Sequence, residues 1–174
     1  MSDTTPEYSV WLTFDARSPA YERYRARIAG FAEAVADAPV FEPHVTVVGG
    51  VDGTEATLVE TTRTLASEFD PVEVTFGAVR CSTTRHQCVF RLVDPSLELF
   101  RLHGAAREAS SLPDTAYVPH LSFVYSEMSF ERRLELAASV DVASLPDRAR
   151  APTLTLVDTT GAVDEWESVA SVRL

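Results

Sequence analysis

Apolar and polar residues alternate along YSVWLTFD (8–15), HVTVVGGV (44–51), VEVTFGAVRC (72–81), QCVFRLVD (87–94), HLSFVYSE (120–127), TLTLVDT (153–159) and WESVASVRL (166–174). Runs of period 2, rich in β-branched and aromatic residues, predict strands. Between them the period lengthens to that of a helix. Ser18-Pro19 supplies a cap and a first-turn proline for a helix to about Ala36, with Tyr24, Ile28, Phe31 and Val35 on one stripe. A second helix is expected from about Thr54 to Phe69, after Gly49-Gly50 has closed the preceding strand. Asp94-Pro95 reads as the same cap-plus-proline start for a third helix, to about Ala109, with Leu99 and Leu102 inward. Ser129 opens a fourth, to about Val140.

Set side by side, the two parts of the chain match. Strand, helix, Pro-His strand, helix, strand runs once over about 8–81 and again over about 87–174, and the opening strands rhyme, SVWLTFD against CVFRLVD. Two copies are too few for a stacked array. The expected fold is therefore α+β and bilobal, a single domain over 1–174 built from a duplicated β-α-β-α-β unit. Two mainly antiparallel sheets face a central cleft, with the helices outside.

The duplication concentrates chemistry at one place. PHVTVV (43–48) and PHLSFV (119–124) each place proline before a histidine, with a hydroxyl two residues after it. Alternate residues of a strand share a face, so His44 projects with Thr46 and His120 with Ser122, while Val45, Val47, Leu121 and Phe123 point into the packing. Pro43 and Pro119 suit a strand's first position, where a missing N–H costs little. Two facing imidazoles can divide the general base and general acid tasks of phosphodiester cleavage near neutral pH. Two hydroxyls can donate to the non-bridging oxygens as charge builds. A lone histidine at a strand start is usually structural, but the same phrase at equivalent places of a duplication points to function. No neighbouring His, Cys or carboxylate stands at zinc-ligand spacing, so no metal and no cofactor are expected. His86, in a polar connection, and His103, in a helical run, are read as structural, with His86 able to border a cleft.

Composition narrows the partners. All 15 basic residues are arginine, against 26 acids, a net charge of −11. Such a surface repels long nucleic acid, leaving a small phosphate ester in a locally positive pocket. The lysine-free, acid-rich composition also suits a salt-loving host. MSDTTPEYSV has neither the basic nor the apolar region of a signal peptide, and no apolar run reaches the ~18 residues of a membrane span. A cytoplasmic monomer is expected. Cys81 and Cys88, flanking STTRHQ, read as unpaired small core residues, with a bridge across a hairpin tip as the alternative.

The paired His-x-Thr/Ser motifs resemble those of the two-histidine (2H) phosphoesterase superfamily. YSVW, PHVTV, QCVF, YVPHLSFVYSE and WESVA resemble, in the same order, its cyclic phosphodiesterases of plant and yeast type. The resemblance spans essentially the whole chain. It implies a bilobal α+β fold and metal-independent opening of small cyclic phosphates, ADP-ribose 1″,2″-cyclic phosphate or nucleoside 2′,3′-cyclic phosphates. It implies His44 and His120 as the catalytic pair, Thr46 and Ser122 as phosphate-holding hydroxyls, and Trp11 and Tyr125 as cleft aromatics. Trp11 reads equally as a core aromatic, and Tyr125, three beyond Ser122, needs a strand end or bulge to turn inward. Arg85 is either a local cation for the phosphate or an exposed hairpin residue. The extra cysteines of the plant enzymes are missing, and STTRHQ is less aromatic than the family's version of that loop. The alternatives are a 2′–5′ RNA ligase-like RNA-end-processing enzyme, which calls for a basic track, a non-catalytic nucleotide-binding module, and a metal-binding protein.

Overall fold

The computed structural model describes residues 7–174. Part of the N-terminal stretch considered above for signal-peptide features lies outside the described residues. The order is β1 (Tyr8–Thr13), α1 (Pro19–Ala34), β2 (His44–Val51), α2 (Glu55–Glu68), β3 (Val72–Cys81), β4 (Val89–Val93), α3 (Leu97–Ala109), β5 (His120–Val124), α4 (Phe130–Ser139), β6 (Arg148–Ala151), β7 (Thr153–Asp158) and β8 (Glu167–Arg173). Among the described residues no helix is long and apolar enough to cross a membrane.

Three helices start where their caps stand in the sequence. The hydroxyls of Ser18, Thr54 and Ser129 accept from the backbone N–H groups of Tyr21, Thr57 and Arg132, satisfying donors that a helix leaves open. The third start differs. Ser96, not Asp94, caps α3 by accepting from Leu99 N–H, and Pro95 stays outside the helix. Asp94 N–H donates instead to Thr75 O, which extends the sheet past β4. Gly49-Gly50 does not end β2 either. The strand runs on to Val51, and its register against β1 shifts across this stretch, a bulge in which Gly50 takes φ +67°. The short strand β6, RARA, is absent from the sequence reading, because four residues with two exposed arginines carry little strand pattern.

Two four-stranded antiparallel sheets result, β2-β1-β7-β8 and β5-β4-β3-β6. They do not coincide with the two halves of the sequence. β3, from the first half, lies between β4 and β6 of the second, whereas β7 and β8 complete the sheet begun by β1 and β2. The helices cross over as well. Tyr24 and Phe31 of α1 meet Phe123 of β5, and α3 packs against β2. β2 and β5 thus lie edge to edge, each backed by a helix from the other half. Their inward residues Val45, Val47, Leu121 and Phe123 join one core that spans both sheets.

One charged side chain is sealed inside this core. Arg91 of β4 is 1% exposed. It donates to the carbonyls of Gly77 and Pro146, to the Tyr24 hydroxyl and to the Asp147 carboxylate. One guanidinium thereby ties β3, α1 and the approach to β6 onto β4.

Candidate active site

The two Pro-His motifs are built alike down to the hydrogen bond. Each imidazole Nδ1 faces the backbone carbonyl two residues before it, His44 that of Glu42 at 2.6 Å and His120 that of Val118 at 2.8 Å. A carbonyl can only accept, so both rings carry the proton on Nδ1 and keep Nε2 as the nitrogen free for chemistry. The proline explains the arrangement. It fixes its own φ and holds the preceding residue extended, turning that residue's carbonyl back toward the ring.

Both motifs open on one cavity of about 690 Å³, lined by Trp11, His44, Thr46, His120, Ser122 and Tyr125 among others. The sequence-expected residues other than Arg85 therefore meet. Trp11 sits one strand over, across from Thr46, and stacks on the His44 ring with centroids 3.6 Å apart and planes 8° from parallel. It is 6% exposed, so it is both packed and part of the cavity wall. Tyr125 lies just past the end of β5. The ladder there slips by one residue, with Phe90 opposite Ser122 but Val89 opposite Val124. That slip swings Tyr125 onto the cleft side, where it stacks on Phe41 at 4.0 Å. Arg85 is exposed and does not line the cavity.

His86, read from the sequence as structural but able to border a cleft, lines the cavity edge-on to Tyr125, with Trp166 at 5.8 Å. Sequence reasoning missed Trp166 and Gln87. Trp166 has a buried indole N–H with no hydrogen-bond partner among the described residues. The carboxamide of Gln87 lies 3.1 Å from His120 Nδ1; because that nitrogen's proton points to Val118 O, the amide can bond to it only through its oxygen. These side chains come from loops, where no periodicity reports which way a residue faces. Arg133 of α4 holds the loop in place. It is 2% exposed and donates to the carbonyls of Ser82, Thr84, Ser126 and Met128. Its neighbour Arg132 and the acids around it give the helix the pattern of a solvated face, which conceals that burial. Cys81 and Cys88, at the ends of the loop, are both free.

The cavity favours neutral imidazoles. Burial pushes His44 down to about 4, and the nearby His120 works in the same direction against the Glu42 carbonyl. Burial also lowers His120. His44 makes a prediction about stability. In the unfolded chain it takes up a proton near pH ~6.5, but in the folded chain only near 4. Between those values the unfolded state binds more protons, so stability falls as pH falls, by about 3 kcal/mol in all, and then levels off. Urea unfolding at pH 7.5 and 4.5 should show a loss in the native chain that His44→Gln lacks by about that amount. Equal pH dependence in both would refute it. The Ser122 hydroxyl donates to His86 O at 3.1 Å, and the Thr46 carbonyl accepts from Tyr117 at 2.9 Å, so each motif is also braced at its second polar residue.

The sequence matches the model of the family described as cyclic phosphodiesterase-like protein over residues 7–174. The chain belongs to this family. It is thereby a member of the 2H phosphoesterase superfamily. No curated protein matches its sequence. Solved structures share the fold. LigT of E. coli complexed with ATP has 13% identity, with 99% of both chains covered and a TM-score of 0.61. The same protein complexed with NADP+ has 14% identity, 97% of this chain and 98% of the other covered, and a TM-score of 0.62. TT0787 of Thermus thermophilus has 13% identity, 97% of both chains covered and a TM-score of 0.65. At these identities the likeness extends to the fold. The cyclic phosphodiesterase-like family membership rests on the family match.

Proposed function

We propose that this chain hydrolyses small nucleotide-derived cyclic phosphates, nucleoside 2′,3′-cyclic phosphates or ADP-ribose 1″,2″-cyclic phosphate, with His44 and His120 as the acid–base pair. The observation that carries the reading is the identical setting of the two imidazoles. Each is locked through Nδ1 to a backbone carbonyl, and both border one cavity. One neutral Nε2 removes a proton from water as its oxygen bonds to phosphorus. The ring ester bond breaks, and the other imidazole, entering protonated, gives its proton to the departing oxygen. The product is a phosphomonoester, and proton exchange with solvent resets the pair. The substrate's own negative charge favours the protonated ring that an empty buried site disfavours. The hydroxyls of Thr46 and Ser122 donate to the non-bridging oxygens, Ser122 by turning away from His86 O. Trp11, Tyr125 and Trp166 offer aromatic faces for a ribose or base.

The family assignment supports phosphoester chemistry, and the net charge of −11 favours a small substrate over an RNA end. The test is turnover of adenosine 2′,3′-cyclic phosphate in EDTA, in low and molar salt, followed by phosphorus NMR. A phosphomonoester product, its shift naming the cleaved bond, is expected. If neither this substrate nor ADP-ribose 1″,2″-cyclic phosphate is opened by the folded chain, the enzyme reading fails and a nucleotide-binding module takes its place.

A further inference from the structure

A second cavity, of about 520 Å³, is also lined by His120 but by none of Trp11, Tyr125 and Trp166. Thr46, Gly49, Gln87 and His120 belong to the walls of both cavities, so the second adjoins the one that holds the proposed chemistry. We propose that this second cavity is a subsite for an additional phosphate group on the substrate, and that Arg107 is the cation that holds it. The proposal deepens the reading above and rests on it for the position of the reacting phosphate.

One wall is held by stacking and hydrogen bonds and is suited to a sugar phosphate. His103 and Arg107 follow one another at helical spacing along α3, beside its buried stripe of Leu99, Leu102 and Ala106, and Phe100 packs edge-on behind Tyr117. His103 stacks flat on Tyr117, with centroids 3.8 Å apart and planes 1° from parallel. His103 donates from Nδ1 to Val47 O at 2.8 Å, and Tyr117 donates to Thr46 O at 2.9 Å. The stacked pair is thus fastened to the backbone of the strand that carries His44. Phe90 completes the apolar side, edge-on to His120 at 5.1 Å.

Arg107 is the cation of this place. Among the described residues lining the two cavities it is the one arginine. Its own partners hold it weakly. The Asp114 carboxylate is 4.0 Å away and its side chain 93% exposed, and the Leu112 carbonyl is at 3.4 Å. A guanidinium has five N–H donors in a fork that matches a phosphate, and among the described residues most of these have no partner. In a chain of net charge −11, a weakly held arginine at the side of a phosphoester cleft counts for more than in a basic protein. Arg107 also sits in the last turn of α3, where a cation suits the helix dipole. That role would show in stability and not in substrate choice.

The chemistry fixes the class of substrate. With a 2′,3′-cyclic phosphate between the histidines, the ribose carries its 5′ carbon away from the reacting centre, and a phosphate there needs a separate counter-charge. The experiment compares kcat/KM for adenosine 2′,3′-cyclic phosphate with that for the same nucleotide bearing a 5′-phosphate. It uses the native chain, Arg107→Gln and Arg107→Lys. The native chain should prefer the 5′-phosphorylated substrate, and Arg107→Gln should shrink that preference about 10- to 100-fold, mostly through KM. Arg107→Lys should restore part of it as a point charge. A native ratio near one overturns the proposal. So does an Arg107→Gln variant that slows both substrates equally, or one that merely lowers the melting temperature. A matching binding ratio is read calorimetrically with adenosine 2′-phosphate and adenosine 2′,5′-bisphosphate. Preferential binding of the bisphosphate that depends on Arg107, in a chain that hydrolyses neither substrate, sinks the enzyme reading and upholds the subsite. Equal binding of the two sinks the subsite whatever the turnover.

Discussion

Substituting either histidine should lower kcat for a cyclic phosphate by about 10²- to 10⁴-fold, the range that positioned acid–base groups supply. His120→Ala is the cleaner change, because His120 is half-buried at the cavity edge. His44 is packed flat on Trp11, and alanine there would leave a void as well as remove the imidazole. His44→Gln keeps much of the volume and an amide donor for Glu42 O. The variant should stay folded and be as inactive as His44→Ala. Groups acting as a unit lose their effect together, so the double variant should be little worse than the slower single one. Steady-state rates on adenosine 2′,3′-cyclic phosphate, beside melting curves for each variant, decide the matter. Near-native turnover in folded His44→Gln would show that the matched tautomers serve architecture and not catalysis.

The second large effect falls on stability. Arg91→Met should cost about 3–5 kcal/mol, because the Gly77 carbonyl and the Tyr24 hydroxyl lose a donor inside the core and the Pro146 carbonyl keeps only the Tyr24 O–H. Each buried group left unsatisfied costs about 1–3 kcal/mol. The loss of Asp147 as partner adds little, since that side chain is 81% exposed. For a chain of this size the melting temperature should drop by roughly 10 °C or more. Arg91→Lys should recover little, since one ammonium cannot reach partners spread around a planar fork. A fall of under 2 °C in Arg91→Met would mean that water or a neighbouring donor replaces the guanidinium.

Much of the architecture was legible because it is local. Ser18, Thr54 and Ser129 cap helices since the residue that can satisfy the first open N–H groups must stand beside them. His44 and Thr46, like His120 and Ser122, share a face because strand geometry permits nothing else. The expected slip at Tyr125 follows from the same parity. What could not be read depends on long-range choices. Asp94 and Ser96 are both capable caps, and the sheet's claim on Asp94 N–H decides between them. Arg91 alternates correctly for a strand, but nothing nearby in sequence shows that its charge is received by Pro146 and Asp147. The pattern of β3 looks the same whether it pairs with its own half or with the other. His86 and Gln87 reach the cavity only because Arg133 pins their loop from a different helix.

The pairing of β1 with β7 makes the candidate site depend on both ends of the chain. β1, which carries Trp11, pairs with β2 on one side and along its whole length with β7 on the other, from Tyr8 opposite Asp158 to Thr13 opposite Thr153. Until β7 emerges, that side of β1 is a bare edge, the kind of surface that recruits a strand from another molecule. The second half in isolation lacks β3 and is left with the reciprocal gap. Two copies of a single half could close both gaps on each other by trading strands, one Pro-His motif from each. A chain cut after its first half would leave the same edge of β1 unpaired.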